Sequence, residues 1–393
     1  MNTEIKRMIA VTVLCGLGFM MYSVDRMVLS STILFIQDEL ALNSTVSGVL
    51  LSSFFYGFIA FLFISGVASD RYSSKYILIG GTLLFSVATI LTGLSSGFYS
   101  LLLFRIITGI GEGFFWPAAS VEVANATPDN YRTTVMSLYW SGYPIGSFFG
   151  VWLGSHIGAE YGWRMAFYIA GGLGIVLSVL YILFLDKKTS HQAERSKVEN
   201  IFNELMKKPS VILMALYYLF ILSGWWVMLL WAPTFLVKEK SLSPQTAGTI
   251  ASLLGITGAI GGFLIGRVCD RFSFYVKKYI LISVTIISGF LMAALIIDTS
   301  PAFVTVLILL LGFFGYPITP VVLSFTAELI EKSRRGAAIG FVTNMGMFAG
   351  AISPFMVGHY SETYEMKTVW LIASLVMGVS FIFLVPLKKI TTN

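Results

Sequence analysis

GVASDRYS at Gly66–Ser73 and GRVCDRFS at Gly266–Ser273 are two copies of one pattern, Gly-x3-Asp-Arg-aromatic-Ser, set two hundred residues apart. Each sits in a short polar break between long apolar runs, so the pattern asks whether the whole chain repeats. It does so at other places. Gly109 and Pro117 find Gly312 and Pro320 at a shift of 203, and Arg132 and His156 find Arg335 and His359 at that same shift. Agreement at several positions with nearly one offset marks a parallel internal repeat, the kind that builds a transporter with its site between two halves.

Composition sets the solvent. Of 393 residues, 56% are hydrophobic and 12% charged, and the mean hydropathy is +0.82, too apolar for a soluble globular chain. Twelve runs are long enough to cross a bilayer as helices: roughly 8–34, 45–68, 74–94, 98–122, 131–158, 164–186, 210–237, 244–268, 277–297, 301–329, 334–360 and 367–387. The expected fold is therefore an all-α membrane protein of twelve transmembrane helices in two pseudo-symmetric six-helix bundles. Its divisions are residues 1–186, a linker 187–209 and residues 210–393. Within the linker, Ser196 and Glu199 have capping-box spacing, Val198, Ile201, Phe202, Leu205 and Met206 form a helical stripe, and Pro209 closes it.

If the segments alternate, Lys6, Arg7, Arg71, Lys75, Arg132, the linker, Arg267, Arg271, Lys277, Lys278, Lys332, Arg334, Arg335, Lys388 and Lys389 fall on one side. Only Arg164, Lys238, Lys240 and Lys367 fall on the other. The positive-inside rule then places both termini in the cytoplasm. The net charge of +6 follows from that topology and forms no patch suited to nucleic acid. The first apolar run is too long for a signal peptide and is expected to stay as a helix. Cys15 and Cys269 form no framework.

Glycines repeat every four residues at 142, 146, 150 and 154, at 258, 262 and 266, and, with Pro354, at 346, 350 and 358. Such faces let helices approach closely and slide, as a meeting of two rocking halves requires.

An ionisable residue at membrane depth costs at least about 2.5 kcal/mol on insertion scales and needs a partner or an aqueous cavity. Four lie well inside the segments, all in the N-terminal half: Asp25, Arg26, Arg105 and Glu112. A rise of about 1.5 Å per residue puts Asp25 level with Arg105 and Glu112 about 10 Å deeper. Arg105, Gly109 and Glu112 share one helix face. The arginines offer fixed charge and a forked donor for a carboxylate. The acids can exchange protons, because a carboxylate's proton affinity depends on burial and neighbouring charge, both of which alternating access changes.

Twelve segments in two halves, the repeated loop pattern, RIITGIGEG at Arg105–Gly113 and GWRMAF at Gly162–Phe167 resemble the major facilitator superfamily. More narrowly, VDRMVLS at Val24–Ser30, GIGEGFFWPAA at Gly109–Ala119, WAPTFL at Trp231–Leu236 and SLSPQTAG at Ser241–Gly248 are similar to the anion:cation symporter family. That family includes sugar-acid importers, vesicular glutamate transporters and sialin, and spinster-like transporters share part of the pattern. The resemblance implies a secondary active transporter that moves a small organic anion by alternating access in symport with protons. Asp25 and Glu112 would couple the protons, and Arg26 and Arg105 would engage the anion or the acids. It implies no cofactor and no metal.

Three departures from that family shift the expected substrate. Ser23 stands where many members have tyrosine, with Tyr22 one place off; Phe58 replaces a usual tyrosine; and Met347 replaces a common asparagine, with Asn344 nearby. These changes remove groups that grip a sugar acid. Trp225, Trp226 and Tyr316, with Trp231 and Met228, offer an aromatic surface instead. A small organic anion with an apolar body is expected.

The resemblance also implies a gate at the cytoplasmic side. Asp70 would meet the start of the eleventh helix and Arg71 would pair with Glu122; Asp270 would lie near the start of the fifth helix, by Arg132, and Arg271 near Glu328, with Arg335 as the counterpart of Arg132. Each such surface pair contributes about 0–1 kcal/mol, weak enough to reopen. A polytopic enzyme is disfavoured because His156, His191 and His359 form no cluster and no nucleophile or phosphate motif is present. Proton-coupled export of drugs or lysolipids is the rival within transport; SGYPIGSFFG around Pro144 only partly matches the usual drug-antiporter signature. The expected setting is the cell membrane of a prokaryote, as a monomer.

Overall fold

The computed structural model describes residues 3–71, 73–128, 131–185, 204–205, 207–269, 272–297, 300–331 and 334–388, and of 3, 63–71, 132–133 and 266–269 the backbone alone. Its helices are α1 (Thr3–Leu40), α2 (Ser44–Arg71), α3 (Ser74–Gly93), α4 (Phe98–Ala126), α5 (Arg132–Tyr161), α6 (Trp163–Phe184), α7 (Pro209–Lys240), α8 (Pro244–Cys269), α9 (Phe274–Ala294), α10 (Pro301–Gly315), α11 (Ile318–Glu328), α12 (Arg335–Tyr360) and α13 (Met366–Val379). Among the described residues, eleven spans are long and apolar enough to cross a membrane, α10 and α11 counting as one. The remaining membrane-length helix is α5, which has 30 residues and is interrupted in composition by its glycines. Helices satisfy their own backbone groups, which is why an apolar chain of this kind folds into them.

Turns follow local chemistry. Gly162, at φ 86°, separates α5 from α6 in a conformation that side chains resist. Pro209 and Pro301 open α7 and α10, where a missing N–H costs nothing, and the Ser300 hydroxyl accepts the Phe303 N–H at 3.4 Å. The tenth segment is not one helix as expected: it breaks at Tyr316–Pro317, between α10 and α11. Proline cannot donate to the preceding turn, and the break leaves Tyr316 free to project.

The two halves pack alike. In the first, α1 lies on α5, α2 on α4 and α3 on α6; in the second, α7 lies on α12, α8 on α10 and α9 on α13. The halves meet through α5 against α8, α2 against α12, and α1 against α7. At the end away from the termini they are closed. Glu362 Oε1 accepts the Thr45 N–H at 2.7 Å, Gly358 packs on the Ser44 carbonyl, and Gly248 packs on Ser155.

The glycine stripes are placed differently from the expectation. Those of α5 face α1 within their own half: Gly142 meets Gly16, Gly146 meets Met20 and Gly150 meets Val24. Gly258 meets Tyr316 and Gly346 meets Tyr218, again inside one half. Among the described stripe glycines, only Gly350, against Phe55, and Gly358, against Gly48, reach across. The close contact of α5 with α8 comes from Gly255 of α8 seated on the Pro144 carbonyl. Small residues let backbones approach, but sequence spacing does not say which neighbour they approach.

Of the linker, only residues 204, 205 and 207–209 are described; the amphipathic stripe apart from Leu205 lies outside the described residues. Those few are tied to the C-terminal half: Glu204 pairs with Arg334 at 2.7 Å, Lys208 with Glu331 at 3.0 Å, and Leu205 packs with Val211, Ile330 and Ala338.

Candidate functional site

Asp25 and Arg26 are neighbours in α1 that point about 100° apart, and each finds its partner in α4. Arg26 Nε donates to Glu112 Oε2 at 2.6 Å, and Arg105 NH1 donates to Asp25 Oδ2 at 3.0 Å. All four residues are buried, the most open at 2% exposure. Two positive and two negative charges at short range form a neutral quartet, the condition under which desolvated charges persist.

Each ion is then set by further contacts. The Arg26 NH2 donates to the Tyr22 hydroxyl one turn earlier. Its guanidinium carbon lies 4.0 Å from the Tyr22 ring centroid, 4.2 Å from Phe54 and 5.0 Å from Phe58, so rings from α1 and α2 enclose the cation. The Thr89 hydroxyl of α3 donates to Asp25 Oδ1. Satisfaction is incomplete: Glu112 Oε1 and the Nε and NH2 of Arg105 are buried without a hydrogen-bond partner. A buried polar atom left unpaired costs about 1–3 kcal/mol, more when charged, so the quartet has spare bonding capacity at its core.

Arg26 is where the quartet reaches open space. A cavity of about 630 Å³ lies between the halves, lined by Arg26, Tyr22 and Trp116 on one side and by Trp225, Trp226 and Tyr316 on the other. It runs toward the end of the molecule that carries the termini, where Thr134, Phe263 and Ser324 line it. The Ser30 hydroxyl, one turn past Arg26, donates to the Leu229 carbonyl at 3.0 Å across the halves, beside the cavity's closed end.

A chain with this repeat, this packing and a charged cavity between its halves was compared with known proteins. Residues 15–354 and, in a second match, 236–392 fit the family model described as the Major Facilitator Superfamily. The chain belongs to that superfamily. It is 30% identical over 356 residues to the hexuronate transporter of Bacillus subtilis, covering 85% of this chain and 83% of the relative. It is 25% identical over 360 residues to the cis,cis-muconate transport protein of Acinetobacter baylyi, covering 87% and 85%. The nucleoside transporter NupG has the same fold, with a TM-score of 0.79 at 18% identity over 96% of this chain and 100% of that one. The protein is a membrane transporter and not an enzyme.

Of the transporter's expected binding residues, Arg26, Tyr22, Trp225, Trp226 and Tyr316 line the cavity. Arg105, Phe58 and Asn344 do not: Arg105 lies behind on Asp25, Phe58 packs against the far side of the guanidinium, and on α12 the residues facing the space are Thr343 and Met347. Asp25, Arg105 and Glu112 are likewise buried behind Arg26 and do not line the cavity.

The expected gate is partly outside the described residues, which exclude the side chains of Asp70, Arg71, Arg132, Asp270 and Arg271. Glu122 accepts a hydrogen bond from the Ser74 hydroxyl at 2.7 Å, Glu328 pairs with Lys277 at 2.5 Å, and Arg335 is exposed. Sequence reasoning missed Thr89, Phe54, Tyr143 and Trp116. Trp116 was findable, being one turn beyond Glu112 on the same helix face; Thr89 was not, because nothing in its own helix marks it.

Proposed function

We propose that this transporter moves a small organic anion across the membrane by alternating access, in symport with protons. The observation that carries the reading is the Arg26–Glu112 pair, buried and neutral, with its guanidinium on the wall of a cavity open at one end. A proton arriving on Glu112 removes the charge that holds Arg26 Nε. The guanidinium then has an unmatched positive charge facing the cavity, and a carboxylate takes the place Glu112 gave up. Loss of the proton restores the internal pair and expels the anion. One proton and one negative charge enter together, so the quartet stays neutral throughout. Asp25, held by Arg105 and Thr89, is the second proton-coupling site.

Rocking about α2–α12 and α5–α8 would open the end that Glu362 and Thr45 now close. Both termini are assigned to the cytoplasm, so the cavity opens inward, and the chain works as a monomer in the cell membrane of a prokaryote. The relatives named for hexuronate and muconate transport support an anionic substrate.

The test is uptake into proteoliposomes containing the purified protein. An imposed gradient, alkaline inside, should drive accumulation of a carboxylate above its equilibrium level, and a protonophore should abolish it. Accumulation indifferent to pH would remove proton coupling; drug or lysolipid efflux without carboxylate transport would establish the exporter instead.

A further inference from the structure

Resting on the anion reading above, we infer that the substrate is a monocarboxylate with a planar apolar body, an aryl or conjugated enoyl acid, and neither a polyhydroxylated acid nor a dicarboxylate.

The first argument is charge. Among the described residues Arg26 is the only charged side chain on the cavity wall. Arg105 is turned away onto Asp25 at 3.0 Å. One cation matches one carboxylate, and a second carboxylate on the same ligand would be desolvated with no counter-charge.

The second is hydrogen bonding. A sugar acid brings several hydroxyls, each needing a partner when it leaves water. No amide or carboxylate side chain lines this cavity among the described residues. Several of the polar groups that do are committed: the Tyr22 hydroxyl accepts from Arg26, the Tyr218 hydroxyl donates to Thr319 Oγ1 at 3.0 Å, Trp226 Nε1 donates to the Gly346 carbonyl at 3.3 Å, and the Ser141 hydroxyl donates to the Leu138 carbonyl at 2.6 Å. The Tyr143 and Tyr316 hydroxyls, facing each other across the halves, are buried without a partner. Those phenols can serve part of a ligand's hydrogen-bonding groups, but a polyol brings more hydroxyls than they satisfy, and the rest would leave water unpaired.

The third is shape. Trp225 meets Tyr316 edge-on, centroids 5.1 Å apart at 85°, and Trp116 meets Trp140 in the same manner at 5.9 Å and 88°. Tyr143 and Tyr316 approach across the halves at 6.3 Å. Faces and edges of rings on both walls suit a flat π-system between them. Met347 adds a polarizable thioether to the same wall. About 630 Å³ is ample for one or two rings.

The experiment is ligand-induced thermal stabilisation of the full-length purified protein with benzoate, cinnamate, benzamide, cis,cis-muconate and glucuronate. Cinnamate or benzoate should reach half-maximal stabilisation at a concentration at least about tenfold below muconate and glucuronate, a gap of about 1.4 kcal/mol. Benzamide, which lacks the charge, should give no shift. Met347→Asn, which adds an amide to the wall, should narrow the gap for glucuronate. Glucuronate or muconate equal to or better than the aromatic acids would overturn the substrate class and leave the anion reading standing. Benzamide as effective as benzoate, or no shift with any carboxylate, would overturn the anion reading and the inference with it.

Discussion

The N-terminal and C-terminal halves pack alike but differ at one depth. The first three helices repeat at a shift of 200 and the fourth at 203, so the charged positions Asp25, Arg26, Arg105 and Glu112 become Trp225, Trp226, Ile308 and Gly315. Trp225, Trp226 and Ile308 are buried like the charges they replace. Where the first half has the Glu112 side chain, the second has none, and the Trp225 indole lies where a Cβ on Gly315 would go. One half therefore holds ion chemistry and the other presents rings to the same cavity. The repeat shows that packing and site are separable: helix contacts survive the exchange of every charged group for an apolar one, because the contacts are made by small residues and backbones elsewhere on the helices.

The sharpest way to break the comparison is to make the first half resemble the second. Arg26→Gln strands the Glu112 carboxylate, and orphaning one member of a buried pair costs about 3–5 kcal/mol. A large fall in melting temperature is expected, with loss of anion binding. Arg26→Gln combined with Glu112→Gln leaves no orphan, so the melting temperature should largely recover while anion-induced stabilisation stays absent. Recovery of both would make Arg26 a scaffold for Glu112 rather than the anion's anchor.

Next in size is Glu112→Gln alone. The amide, like the protonated acid, leaves the Arg26 charge unmatched for the anion, but it has no proton to release. Gradient-driven accumulation should fall to the level of empty vesicles while exchange of external for internal substrate continues. Equal loss of both activities would make Glu112 structural only.

How much of this was legible in the sequence depends on what kind of residue carries the signal. Membrane segments announce themselves by length and hydropathy, and four charges in an apolar background are conspicuous, so the quartet and the level placement of Asp25 with Arg105 were readable. Helix rise and angular spacing were enough. Thr89 and Phe54 were not readable, because a threonine or phenylalanine in a membrane helix is ordinary until a neighbour is brought to it. The glycine stripes failed for a related reason: Gly142 and Gly150 do permit close approach, yet their partner is α1 of the same half, a fact that only packing decides. Tyr316–Pro317 shows a third limit, since hydropathy across 301–329 is unbroken although the helix is not.

A smaller effect tests the other half. Gly315→Ala would place a Cβ into the Trp225 ring, and overpacking of this kind costs about 1–3 kcal/mol. Trp225 would be pushed toward the cavity, so anion binding should weaken as stability falls. Gly16→Ala, in α1 with nothing within 4 Å of the new methyl, should leave both unchanged. A neutral Gly315→Ala would mean that the aromatic wall is loosely packed and that the contrast with Glu112 lies in charge alone.

The smallest effect is expected where the halves touch, at Glu362. Its carboxylate accepts the backbone N–H of Thr45, in the first turn of α2, at 2.7 Å. That hydrogen bond, with a smaller contribution from the charge of nearby His359, holds the Glu362 carboxyl below the ordinary carboxylate range. A group whose pKa is lowered by a contact favours that contact at pH above its ordinary value and ceases to favour it as pH falls through the lowered one. The latch should therefore be whole at neutral pH and release only in acid, when the carboxyl takes a proton. Spin labels at Asn43 and Thr363, placed beyond the ends of α2 and α12, would report it. Glu362→Ala should shift the distance distribution toward longer separations at neutral pH. Glu362→Gln, which keeps an acceptor without the charge, should shift it less, and acidified wild type should approach the glutamine variant. An unchanged distribution in Glu362→Ala would show that the glycine contacts of Gly358 and Gly48 close this end without the carboxylate, and that the two halves are joined there by packing alone.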